Sequence, residues 1–289
     1  MTENNILKKH NFQFQKKFGQ NFLTDFKIPA KIAENCTNFK YNGEDKGKSL
    51  ILEIGPGAGI LTKELAKRFL KVVAVEIDSE LIPILDESLA SFSNIEVIND
   101  DIMKTDLEKL ISSRRIYENE VLPVSVCANL PYYITTPVIM KLLEEYHDFS
   151  FITVMVQKEV ARRLCSKPGS TDYGAITAVI NLYGKMEKLF DVPAGCFNPR
   201  PKVDSSVVRF KRNEIQKYTE TEIKDAKKVI KAAFSMRRKT LINTLVAIGD
   251  IKCGKEELAN IIEELFGKPS IRGEELSTED FVKIARRIF

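Results

Sequence analysis

Histidine occurs only twice in the 289 residues, at His10 and His147, too few and too far apart for a metal site or a serine triad. Cysteine is sparse and unpatterned. Its five copies, at 36, 127, 165, 196 and 253, include no C-x-x-C pair, which argues against zinc or a disulfide framework and for a reducing compartment. No apolar stretch approaches the length of a membrane span, and the first twenty residues lack the apolar core of a signal peptide. A soluble, cytoplasmic, monomeric protein with no metal and no membrane partner is the expectation. Net charge is also low, at +4, but it is uneven. Residues 1–20 carry four lysines against one acid, and residues 211–289 carry 17 basic against 13 acidic side chains, around a slightly acidic body. Basic ends point to a polyanionic partner, although lysine-rich tails are also commonly just solvated.

What the chain does have is a glycine cluster in a telling place. Leu50-Ile51-Leu52-Glu53-Ile54 reads as a fully buried strand, because apolar residues fill nearly every position instead of alternating. Gly55-Pro56-Gly57-Ala58-Gly59 ends it, and Ile60, Leu61, Leu65 and Ala66 then fall at helical spacing. At Gly55 and Gly57 the backbone can turn sharply and a ligand can lie directly against it. Strand, glycine turn and helix form the first crossover of an open parallel sheet, which binds nucleotides at the carboxyl ends of its strands. Val72-Val73-Ala74-Val75-Glu76 is the second strand, and Glu76 stands where a carboxylate can take both ribose hydroxyls. G-x-G-x-G, with Ile60 where a third glycine would fall, departs from the dinucleotide fingerprint and is similar to the turn of S-adenosylmethionine-dependent methyltransferases.

Two later strand ends add chemistry. Ile95–Ile98 runs into Asn99-Asp100-Asp101, where an acid either accepts from an adenine amine or caps the next turn. Val124–Ala128 delivers Asn129-Leu130-Pro131-Tyr132-Tyr133 to the same edge. An exocyclic adenine amine is a poor nucleophile because its lone pair is delocalised into the ring. The Asn129 side-chain oxygen and the Leu130 carbonyl can grip both amine hydrogens, with Pro131 fixing the turn and Tyr132 offering a stacking face. The same tetrapeptide also reads as a plain proline turn into a helix over 137–146. Residues 1–9 read as a disordered tail, 24–33 as a packed lead-in helix capped at Thr24-Asp25, and 104–122 as a helix with a surface loop.

Phe18–Leu23, Glu53–Gly59, Glu76, Asp101 and Asn129–Tyr132 together resemble the ordered motifs of the ribosomal RNA adenine N6-dimethyltransferases of the KsgA (RsmA) type. The resemblance runs on through Gln157–Leu164, Tyr173-Gly174, Phe197–Ser206 and Ala233–Leu241. It implies a Rossmann-like class I methyltransferase sheet with a small C-terminal all-helical domain, S-adenosyl-L-methionine as cofactor, and 16S rRNA in the small ribosomal subunit as substrate. The product would be dimethyladenosine at two adjacent positions near the RNA 3′ end. Carried onto this chain, it implies cofactor contacts from Asn21, Leu23, Gly55, Gly57, Glu76, Asp101 and Asn129. Asn129, Leu130, Pro131 and Tyr132 would form the catalytic loop, and Tyr132 and Phe197 would sandwich the target adenine, although Phe197 could equally be core. Where many relatives have arginine or histidine near Phe18, this chain has Lys16-Lys17.

The expected domains are a basic arm over 1–20, the methyltransferase domain over 21–212 and a helical RNA-contacting domain over 213–289. Lys158, Arg162 and Arg163, then Arg200 and Lys202, and then Arg237, Arg238 and Lys239 are the basic sets able to meet phosphates, against the reading of solvated faces. Two other functions compete with the first: methylation of adenine in 23S rRNA, and an RNA- or DNA-binding assembly or transcription factor that keeps the fold and methylates little.

Overall fold

The structure, a computed structural model, describes residues 6, 7, 9–15, 19–38, 46–131, 134–213, 215–236, 239–249 and 251–289. Strand β1 (Phe22–Leu23) leads into helix α1 (Lys27–Glu34). β2 (Gly47–Ile54), α2 (Ile60–Arg68), β3 (Phe69–Glu76), α3 (Ile82–Leu89) and β4 (Ile95–Asn99) make two successive crossovers. α4 (Leu107–Ser112) and a hairpin of β5 (Ile116–Tyr117) and β6 (Glu120–Val121) precede β7 (Val124–Asn129), α5 (Thr135–Glu145) and β8 (Phe149–Gln157). Then come α6 (Lys158–Leu164), α7 (Ala175–Tyr183), β9 (Gly184–Val192), β10 (Phe197–Asn198) and β11 (Ser205–Arg212). Helices α8 (Glu220–Ser235), α9 (Leu241–Leu245), α10 (Lys255–Phe266) and α11 (Thr278–Ile288) complete the chain.

Two compact units emerge, one of residues 1–161 with 187–212 and the other of 162–186 with 213–289. The first is built on a seven-stranded sheet in the order β4-β3-β2-β7-β8-β11-β9. Pairs β4/β3, β3/β2, β2/β7 and β7/β8 are parallel, and β11 runs antiparallel to β8. β2, β3 and β7 are buried along nearly their whole lengths, as continuous apolar strands covered on both faces should be. One side of the sheet holds Ile32, Ala33, Leu61, Leu65 and Ala66 of α1 and α2 against Ile51, Val72 and Cys127. Register then positions the site. Ile54 lies opposite both Val75 and Ala128, and Glu76 opposite Asn99, so the residues that follow all four strands emerge along one edge.

The second unit is helical. Thr219 and Ser277 each accept from the backbone three residues on, and Glu222 and Asp280 bond back to the cap residues, so α8 and α11 both begin in a capping box. Tyr173 packs edge-on to Phe234, Phe234 lies against Phe281, and Thr278 Oγ1 donates to the Ala178 carbonyl at 3.0 Å. These contacts correct the expected domain boundary. Residues 162–186 belong with the C-terminal helices, because the buried face of α7 packs there, although sequence order places them inside the 21–212 segment.

Three further expectations are revised. Ile6 and Leu7 are buried against Ala58, Leu81, Ile84, Leu85 and Leu89, and Lys9 and His10 both bond Glu87, so this stretch is packed and not a free tail. Burial of two aliphatic side chains outweighs the polar composition around them. The lead-in helix starts at Lys27, with Asp25 accepting from the Lys27 N–H at 2.9 Å and Phe26 at the cap position. The span 104–122 forms α4, capped by Asp106, and the β5/β6 hairpin.

Candidate functional site

At the carboxyl ends of β2, β3, β4 and β7 lies a cavity of about 320 Å³. Gly55 and Gly57 line it in the left-handed region, at φ +70 and +60. A Cβ on Gly57 would come within 3.0 Å of the Phe22 ring. The bare backbone is therefore what leaves room there for both Phe22 and a ligand. β1 carries Phe22 and Leu23 to the cavity wall and is held by β10, in the register Leu23 opposite Phe197.

Glu76, at the end of β3, is almost fully buried. Its two carboxylate oxygens accept from the N–H groups of Gly57 at 3.2 Å and Asp78 at 2.9 Å. Burial pushes its carboxyl up to about 7, against the pull of those two N–H groups and with the Asp78 charge adding to the rise. Glu76 thus ties the glycine turn to β3 and still faces the cavity.

Asp101 closes the turn, its Oδ1 accepting from the Met103 N–H at 3.0 Å, and also stands at the cavity wall. Asp100 beside it is held by the Thr105 hydroxyl at 2.8 Å.

The end of β7 supplies Asn129, Leu130 and Pro131. Asn129 Nδ2 donates to the Asn21 carbonyl at 3.4 Å, and Asn21 Nδ2 donates to the Gly19 carbonyl at 2.9 Å. This orientation turns the Asn129 amide nitrogen toward the chain, where it makes one hydrogen bond, and leaves the carboxamide oxygen as an acceptor for a ligand. Phe197 also lines the cavity, but it is 5% exposed and belongs to the main apolar cluster with Leu23 and Val207, so it is core as well as wall. Tyr132 lies outside the described residues.

One wall residue escaped the sequence reading, in which Glu53 entered only as part of a motif. Glu53, on β2, is 1% exposed, and its Oε2 has no hydrogen-bond partner; neither has Thr62 Oγ1, buried on α2. Burial pushes the Glu53 carboxyl up to about 8, against the pull of the neighbouring Thr62 hydroxyl and with the Glu76 charge adding. A glutamate inside an otherwise unbroken apolar strand was the available signal. Among the described residues the cavity wall holds four carboxylates, those of Glu53, Glu76, Asp100 and Asp101, and no basic side chain. Such a wall fits a ligand that has positive charge, ribose hydroxyls and an adenine amine, which are the features of S-adenosylmethionine. The orphaned Glu53 oxygen and the open glycine cradle are the observations that carry this fit.

The basic residues are placed less uniformly. Arg200 and Lys202 are exposed on the segment between β10 and β11, and Lys239 is exposed in the second unit. Lys158 pairs with Asp191 at 3.3 Å and Arg162 with Asp172 at 2.8 Å, while Arg163 is exposed with its carbonyl accepting from Thr177. Arg237 and Arg238 lie outside the described residues, as do Lys16 and Lys17. No cluster of three metal-ligating side chains and no helix long and apolar enough to cross a membrane occurs among the described residues.

A parallel sheet ending in an antiparallel strand, with a glycine turn after its central strand and acids after the next two, defines a Rossmann-like methyltransferase that takes its methyl group from S-adenosylmethionine. Comparison narrows the class. The chain belongs to the ribosomal RNA adenine dimethylase family, whose sequence model matches residues 11–285. It is 43% identical over 284 residues to the ribosomal RNA small subunit methyltransferase A of Lachnoclostridium phytofermentans, covering 97% of this chain and 93% of that one. The protein of the same name from Shouchella clausii is 40% identical, covering 99% and 93%. Among solved structures, a dimethyladenosine transferase from Plasmodium falciparum superposes with a TM-score of 0.73 at 26% identity, over 91% of this chain and 95% of that one. The 23S rRNA methyltransferase ErmE gives 0.67 at 25% identity, over 92% and 99%.

Proposed function

We propose that the chain transfers methyl groups from S-adenosylmethionine to the N6 amines of two adjacent adenosines near the 3′ end of 16S rRNA in the small ribosomal subunit. N6,N6-dimethyladenosine is the product, and the protein acts in the cytoplasm as a monomer during ribosome biogenesis. The observation that carries this reading is the orientation of Asn129, whose amide nitrogen donates to the Asn21 carbonyl and whose oxygen is left for a ligand amine at the cavity wall.

When bound, the sulfonium cofactor supplies an electrophilic methyl carbon, so the protein's task is alignment. Glu76 holds the ribose, Asp101 the adenine amine, and Asn21, Leu23, Gly55 and Gly57 the remaining cofactor surface. The Asn129 carboxamide oxygen and the Leu130 carbonyl accept from the two hydrogens of the target amine, which turns its lone pair toward the methyl carbon. Pro131 stiffens that turn. Phe197 and Tyr132 face the target base, and stacking at about 1–3 kcal/mol per base offsets part of the cost of unstacking it from RNA. Lys158, Arg162, Arg163, Arg200, Lys202, Arg237, Arg238 and Lys239 meet RNA phosphates.

The 40–43% identity to small-subunit enzymes supports this substrate over the 23S RNA named for the structurally similar ErmE. Reverse transcription across 16S rRNA from particles treated with the protein tests the assignment. Two adjacent stops near the 3′ end are expected, and stops elsewhere or none would contradict it.

A further inference from the structure

Two buried carboxyl groups, those of Glu53 and Glu76, stand in the wall of the cofactor cavity without a basic side chain beside them among the described residues. Glu53 is buried on β2 just before the glycine turn, with the equally buried Thr62 hydroxyl beside it and no hydrogen bond of ordinary geometry to its Oε2. The groups around it come from every neighbouring strand and helix. Glu76 faces it from β3, Thr62 from α2, and Cys127 lies opposite it on β7, itself in contact with Cys36 beyond α1. Asp100 and Asp101 complete the acidic wall, and among the described residues no basic side chain lines it. An unpaired carboxylate in such a place costs several kcal/mol as an ion, and a buried acid avoids that cost by keeping its proton.

We infer that Glu53 is a specificity-determining residue of this cavity: its buried carboxyl group couples cofactor binding to proton release, so that the site reads the positive charge of its ligand as well as its shape. The inference rests on the cofactor reading above and deepens it. Without ligand, burial holds Glu53 neutral, and the Glu76 charge adds to this once Glu76 ionises near pH 7. A ligand that brings an ammonium and a sulfonium group supplies the missing positive partner, the carboxyl ionises, and the proton leaves to solvent. Affinity for the donor therefore rises with pH until Glu53 ionises in the free protein as well. S-adenosylhomocysteine, which lacks the sulfonium charge, offers less compensation and should displace less of the proton.

Isothermal titration calorimetry of the full chain at pH 7, in phosphate and in Tris, tests this, because the two buffers differ in ionisation enthalpy and their difference counts protons. The wild type is expected to release about one proton per S-adenosylmethionine bound and less with S-adenosylhomocysteine. Glu53→Gln should bind the donor several-fold more weakly at pH 7, with that release mostly lost. No release by the wild type, equal release by the two ligands, or undiminished release by Glu53→Gln would overturn the inference. The wild-type titrations decide the matter even where the variant folds poorly. Failure of the wild type to bind the donor at all would instead defeat the cofactor reading.

Discussion

Gly57→Ala perturbs the point where backbone, lead-in strand and cofactor wall meet. Gly57 sits at φ +60, and a side chain there costs about 1–2 kcal/mol in the left-handed region. The new methyl group would also stand 3.0 Å from the Phe22 ring. Phe22 cannot yield freely, since it packs on Phe14 at 5.3 Å and Phe12 at 6.1 Å between ring centroids. Adding overpacking of about 1 kcal/mol gives roughly 2–3 kcal/mol in all. For a unit of this size that is a fall in Tm of about 4–12 °C. Gly55→Ala is the internal control: its φ is +70, but its nearest neighbour would be the Asn129 carbonyl at 3.9 Å, so only the backbone cost applies. Thermal unfolding should therefore rank wild type above Gly55→Ala above Gly57→Ala. Calorimetry should show donor affinity at least tenfold weaker in Gly57→Ala. A Gly57→Ala protein with wild-type Tm and affinity would refute the claim that bare backbone is required there.

Asn129→Ala should abolish methyl transfer while donor affinity stays within about tenfold, because most cofactor contacts lie elsewhere; parallel single-turnover and calorimetric measurements check this. The ligand-free protein should lose stability as pH rises from about 4.5 to 8. In the fold Glu76 keeps its proton up to about pH 7 and Glu53 up to about pH 8, whereas both ionise near 4.5 when unfolded, so folding takes up protons and is disfavoured by raising the pH. Denaturant titrations at pH 6 and 8 should show the fall in the wild type and a smaller one in Glu53→Gln. In the helical unit, Gly273→Ala would place a Cβ 2.8 Å from that of Ala233 and 2.9 Å from its carbonyl oxygen. A loss of about 1–3 kcal/mol in urea unfolding is expected, and no loss would show that α8 gives way.

The carboxyl edge of the sheet was legible because strand ends announce themselves. A buried apolar run stops at Gly55, another at Glu76, a third at Asp100-Asp101 and a fourth at Asn129, and parallel register brings those stops together. Asn21 and Leu23 were not legible from pattern and came only through resemblance, since their place depends on the two-residue pairing of β1 with β10. The unit boundary misled for a similar reason. Residues 162–186 lie between sheet strands in sequence, and only the long-range packing of α7 with the C-terminal helices assigns them. Burial of Ile6 and Leu7 was hidden by the polar residues around them, because two aliphatics among lysines and asparagines do not define a period. Glu53 was visible as a residue but not as a charge problem. Its significance depends on Glu76 and Thr62 being placed beside it, which β3 and α2 do in space and not in sequence.

The central claim is that this cavity dimethylates adenine in the small ribosomal subunit. The most direct measurement offers labelled S-adenosylmethionine with undermethylated small subunits, large subunits and naked RNA, and identifies the labelled nucleoside. N6,N6-dimethyladenosine confined to the small-subunit particle is the predicted result; label in large-subunit RNA, or none in any substrate while the donor still binds, would contradict it.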